Sequence, residues 1–106
     1  MIITTSDTVD GKEIKKVLGI VKGNTIRARN IGRDILASLK NLIGGEIEEY
    51  TKLMGEAREQ SIDRMKEEAQ KMGANAIVCV RFSTSYIMRN AAEILVYGTA
   101  VIVEEQ

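Results

Sequence analysis

Apolar residues along the chain switch between strict alternation and helical spacing, and each switch marks an element. Residues 2–4 predict a short opening strand, followed by turn chemistry in Ser6-Asp7-Thr8-Val9-Asp10-Gly11. Residues 14–21 predict a strand with Val17, Leu18, Ile20 and Val21 as its apolar core. Lys22-Gly23-Asn24 predicts a turn or bulge, because Gly and Asn tolerate positive φ; residues 25–29 resume an extended segment. Asn30 is a favoured N-cap, and Ile31, Ile35, Leu39 and Leu42 then fall on one helical face. Gly44-Gly45 predicts the end of that helix and a turn into the next. The second helix spans 47–72, with Tyr50, Leu53, Met54, Ala57, Ile62, Met65, Ala69 and Met72 as its apolar set and Gly73 beyond its end. The two read as an αα-hairpin or one bent helix.

Two strands close the chain. Over residues 75–86 the even positions (Ala76, Val78, Val80, Phe82, Thr84, Tyr86) make the cleaner apolar face, so they are expected to meet the helices. The odd positions are Asn75, Ile77, Cys79, Arg81, Ser83 and Ser85. Residues 87–91 form a hairpin connection. Over 93–103 both faces are apolar, the signature of a strand covered on both sides. The elements predict an α+β fold in a single domain over residues 1–106: a small antiparallel β-sheet with a helical pair packed on one face. One helical pair covers one face only. The second face, expected to hold Ile77, Leu95, Tyr97, Val101 and Val103, needs another cover, and a small sheet also leaves two open edges. Self-association answers both, so a ring-forming homo-oligomer is expected.

Composition narrows the chemistry. The 106 residues contain no His, Pro or Trp and one Cys, with fifteen basic residues balancing fifteen acidic ones. Without His there is no Ser-His-Asp or Cys-His nucleophile site and no imidazole metal ligand. One Cys excludes an intrachain disulfide, a CxxC pair and a Cys-rich zinc site. Charge is uneven: residues 1–45 carry net +4, residues 46–74 net −3 and residues 75–106 net −1. Complementary segments of this kind suit pairing within or between subunits and argue against nucleic acid as a partner. Lys12, Lys15, Lys16 and Lys22 read as solvated edge charges. No run of about 18 apolar residues exists, and the N-terminus lacks a basic, signal-like start. No membrane partner is therefore expected, and a cytoplasmic location is.

Two places hold candidate chemistry. Cys79 is the one soft donor, suited to a soft metal ion or another thiophilic species, and alternation puts Arg81 on its face as a charge partner. The competing reading is a small buried hydrophobe between Val78 and Val80. The second place is the polar cluster Arg27, Arg29, Asn30, Arg33, Asp34 and Glu46, where guanidinium forks at a helix start suit a small anion between subunits. An intersubunit salt-bridge network through Asp34 and Glu46 is the favoured alternative. Glu59, Asp63 and Glu67 form an acidic helical stripe, read as a solvated face. Gly44-Gly45 lacks the Lys-Ser/Thr of a phosphate loop. No base–nucleophile pair is visible, so an enzyme is not expected.

Several strings are specific in combination: Arg27-Ala-Arg29-Asn30-Ile31-Gly32-Arg33-Asp34-Ile35; Gly44-Gly45-Glu46; Ala57-Arg58; Gly73-Ala74-Asn75-Ala76-Ile77; Val80-Arg81-Phe82; and Tyr97-Gly98-Thr99-Ala100-Val101. In this order and spacing they resemble the YbjQ-like family, whose members are labelled heavy-metal-binding without an established reaction. The resemblance spans about residues 1–104. It implies a dodecin-like α+β subunit and a homopentameric ring. In the family pattern a small residue such as Gly often occupies the place of Cys79, so the thiol does not carry over as a family-wide ligand. The combined expectation is a noncatalytic homopentamer that holds a soft metal ion or thiophilic species through Cys79. The alternatives are a structural or interaction protein without a small ligand, and an anion binder at the Arg-rich interface.

Overall fold

The computed structural model describes residues 1–27, 44–88 and 91–106. The described elements are β1 (Ile2–Ile3), β2 (Lys12–Arg27), α1 (Gly44–Lys71), β3 (Ala76–Met88) and β4 (Ala91–Glu105). They form one four-stranded sheet in the order β1-β3-β4-β2, with α1 lying over β2 and, to a lesser extent, β4. β2 and β3 both run antiparallel to β4, but β1 runs parallel to β3. The sheet is therefore mixed, not purely antiparallel. The long stretch between β1 and β3, helix included, gives the chain the crossover a parallel pair requires. Of the expected helical pair, the second helix is seen. Among the described residues there is one helix, and the first expected helix falls on residues outside them. Gly44 and Gly45 are the first residues of α1; the helix end expected before them also lies outside the described residues.

The break expected at Lys22-Gly23-Asn24 is absent: β2 continues through it, with Gly23 opposite Val96. Gly23 serves close approach, not a turn. A Cβ there would fall on the Ser61 carbonyl oxygen and lie 2.6 Å from the Met65 amide nitrogen. The hydrogen at Cα is what lets α1 sit directly on the strand. The irregularities of β2 lie earlier, between Ile14 and Lys16 and between Val17 and Gly19, where Gly19 takes a φ of 138°.

Beside Gly23 the interface carries a buried polar pair. Ser61 Oγ lies 2.8 Å from Thr25 Oγ1 and 2.9 Å from the Ala57 carbonyl oxygen, and both side chains are buried. Each hydroxyl is satisfied inside the core, which fixes the helix along β2. Ser61→Ala leaves the Thr25 hydroxyl short of a partner and is expected to lower stability by about 1 kcal/mol in urea unfolding.

The core has two layers. Between helix and sheet lie Val21, Met65, Ala69, Ile77, Val80, Val96 and Ala100. On the opposite side Ala76, Val78, Val101 and Val103 pack with Val9, Ile14 and Cys79. The expected alternation of β3 is thus broken. Ile77 and Val80 face the helix, while Ala76 and Val78 face away. The cause is a bulge: Val78 pairs with Thr99 and Arg81 with Tyr97, so β3 spends one residue more than β4 over that step. An extra residue reverses every later side chain. Ile77, expected on the uncovered face, is fully buried on the helix side.

Candidate functional site

The bulge residue is Cys79. Its φ is +57°, the one left-handed non-glycine among the described residues. In bulges of this kind the left-handed position usually belongs to Gly, and an L-residue there costs about 1–2 kcal/mol. Neither sequence reading of Cys79, as a regular strand ligand or a regular core residue, anticipated this. The signal was present in the family pattern, where a small residue such as Gly often holds the position. Cys79→Gly relieves the strain but adds chain entropy to the unfolded state, so unfolding is expected to shift toward higher urea by roughly 0.5 kcal/mol. Cys79→Val, a β-branched residue in a left-handed conformation, is expected to shift it the other way.

A strap formed by the N-terminal segment holds the bulge. Thr4 N donates to the Ile77 carbonyl at 3.0 Å, Cys79 N to Ser6 at 2.9 Å and Val80 N to Thr4 at 3.1 Å. Arg81 completes the clasp, its Nη1 donating to the carbonyls of Thr5 at 2.9 Å and Val80 at 2.8 Å. The guanidinium is thereby engaged with the backbone of the strap. The Cys79 side chain is half-buried against the sheet face that turns away from α1.

That face is unevenly covered. At one end Val9, from the segment before β2, packs against this face, where Ile14 lies beside Val103, so the chain supplies part of the missing cover itself. Beyond it the face is open. Val17, Ile20, Ile26 and Tyr97 are 63%, 76%, 55% and 41% exposed, a level unusual for residues of this kind sharing one sheet face. The register places them together: Val17 opposite Val101, Ile20 opposite Thr99, and Tyr97 between Lys22 and Arg81. Asn24, from the middle of this face, donates to Glu93 at 3.0 Å.

Of the polar cluster, Arg29, Asn30, Arg33 and Asp34 lie outside the described residues. Arg27 ends β2 and Glu46 falls in the first turn of α1, and the described contacts do not include their side chains. Glu59, Asp63 and Glu67 are all exposed on the outer side of α1, as a solvated stripe should be. Among the described residues no three of His, Cys, Asp and Glu converge on a point that suits a metal ion. One thiol does not complete a soft-metal coordination sphere, so the described residues of a single chain do not fit a resident metal. No helix among the described residues is long and apolar enough to cross a membrane.

Comparisons with known proteins agree with this geometry. Residues 1–104 match the family described as "Putative heavy-metal-binding". A UPF0145 protein of Dehalococcoides mccartyi is 62% identical over 104 residues, covering 98% of this chain and all of that one. A UPF0145 protein of Archaeoglobus fulgidus is 56% identical over 101 residues, 95% of this chain and 94% of its own. Among solved structures, a protein of unknown function of the DUF74 family from Pediococcus pentosaceus shares the fold. Its TM-score is 0.63 at 17% identity, over 98% of each chain. The match over residues 1–104 and the 62% identity to a curated relative lead to one statement: this chain belongs to the YbjQ family of UPF0145 proteins.

Proposed function

We propose that the protein is a noncatalytic binding module that works as a homopentameric ring and presents Cys79 of each copy to a soft metal ion or other thiophilic species. The observation that carries this reading is the open sheet face, with Val17, Ile20, Ile26 and Tyr97 unburied in the single chain. The number five comes from the family resemblance. The chain is also extended, 57 × 22 × 17 Å with a radius of gyration of 17.3 Å. A compact monomer of this length has about 13 Å, so much of its burial is left to be made elsewhere. Cys79 supports the ligand half of the reading. It holds a thiol at a backbone position where Gly is the low-strain choice, on the same side of the sheet as the open face. Strain kept at one residue is a reason to look for a role there. Because one chain offers one thiol, any soft-ion site needs thiols from several copies.

Native mass spectrometry of the reduced protein with added cadmium tests the ligand half. Stoichiometric adducts are expected on the wild type and not on Cys79→Gly, which keeps the bulge. Equal adducts on both forms, or none on either, would remove the thiol and leave a structural or interaction protein.

A further inference from the structure

The two edges of the sheet are not equally closed. Along β3 the strap occupies the outer edge only as far as Val80, through Ile2 N to Asn75, Thr4 N to Ile77 and Val80 N to Thr4. From Phe82 onward, β4 is the one strand beside β3 among the described residues. Phe82-Ser83-Thr84-Ser85-Tyr86 carries no charge, no Pro and no bulge, and all five residues are exposed. Proteins normally blunt such an edge. β2, the opposite edge among the described residues, is blunted over its first half by Lys12, Lys15, Lys16 and both of its irregularities. Its second half is regular and keeps Lys22 alone before its last residue.

The two unblunted stretches sit at one level of the sheet. Tyr97 of β4 pairs with Lys22 on one side and Arg81 on the other, and Glu93 pairs with Ile26 and Ser85. Both outer strands run antiparallel to β4, hence parallel to each other. A copy related by rotation about an axis along the strands brings one stretch beside the other, at the same height and in the same direction. The side chains agree as well. Phe82 pairs with Val96, a residue of the layer under α1, so Phe82, and Tyr86 four residues on, project on the helix side. They are 47% and 77% exposed because α1 lies over β2, at the far side of the sheet. Beside the β2 of a second copy they would meet the flank of that copy's helix.

We infer that residues 82–86 of one copy add to the edge formed by residues 22–26 of the next, a parallel, head-to-tail strand junction that completes the layer beneath the neighbour's helix. This rests on the self-association proposed above and specifies its contact. Each copy gives one edge and receives another, so the contact is heterologous and repeats until it closes. The open faces then line the inner side of the ring, turned toward one another, and the helices lie around the outside.

The test compares native masses of the wild type, Phe82→Glu/Tyr86→Glu and Ile20→Ser/Tyr97→Ser, with far-UV circular dichroism as a check of folding. The expected result is an assembled wild type, a folded single chain for the edge variant and an assembled open-face variant. An edge variant that stays assembled would overturn the junction while sparing self-association. So would an open-face variant that dissociates equally, since the faces would then hold the copies together. A wild-type monomer would overturn both. If the edge variant does not fold, amide exchange of the wild type decides instead. Protection across 82–86, including the N–H groups turned away from β4, is expected, and fast exchange of those groups would overturn the junction.

Discussion

Gly23→Ala is expected to be the most damaging single methyl in the described chain, costing about 3 kcal/mol or more. The added carbon would fall on the Ser61 carbonyl oxygen and 2.6 Å from the Met65 amide nitrogen. Both are backbone atoms inside a helix, so no side-chain rotation relieves the contact. α1 must lift from β2, and lifting it opens the layer around Val21 and Met65 and separates Ser61 from Thr25. Two comparatively small terms, a lost hydrogen bond and a gap in the packing, add to the direct overlap. Urea unfolding measures the shift. A second variant separates helix from strand as the source: Gly55→Ala, on the same helix with its nearest neighbour an Arg58 nitrogen at 3.7 Å, is expected to be neutral or stabilising.

Gly98→Ala is expected to cost about 2 kcal/mol, for a different reason. Gly98 stands across from the Cys79 bulge, between the register points Thr99 and Tyr97. A Cβ there would lie 2.7 Å from Ile77 Cγ2, 3.0 Å from the Val78 carbonyl oxygen and 3.1 Å from Val80 Cγ2. The bulge folds two side chains, Ile77 and Val80, toward the same side of the sheet and packs them over a residue that has none. Ile77 and Val80 are stiff, β-branched and buried, so they yield little. If Gly98→Ala is as stable as the wild type in urea, the bulge relaxes freely and the strain argument for Cys79 fails with it.

The pattern of apolar positions was enough to place β3, β4 and the long helix, because each is a sustained period in the sequence; β2 was legible only as two extended segments with a turn between them. The sheet's open side was also legible, since 93–103 is apolar on both faces and one layer of helix covers one face. What was not legible depends on partners far along the chain. Gly23 looks like a turn because Lys-Gly-Asn is turn chemistry locally; its purpose, the approach of Ser61, lies 38 residues away. Cys79 looks like any strand position because a bulge leaves no composition signal when the left-handed residue is not Gly. Missing that bulge put Ile77 on the wrong face and made the even positions of β3 appear uniform. The parallel β1 was hidden for a related reason: two residues carry no record of their direction of pairing. At the candidate site, Cys79 and Arg81 were both singled out, but the clasp of Arg81 on Thr5 is a contact between segments 76 residues apart.

Self-association carries the functional reading, and the mass of the reduced wild-type protein in solution tests it most directly. Sedimentation equilibrium at micromolar concentration is expected to give five times the 11.7 kDa chain mass. A chain that sediments at its single mass throughout would contradict the ring, leave the open face of Val17, Ile20, Ile26 and Tyr97 facing water, and leave Cys79 without a second thiol to share a ligand.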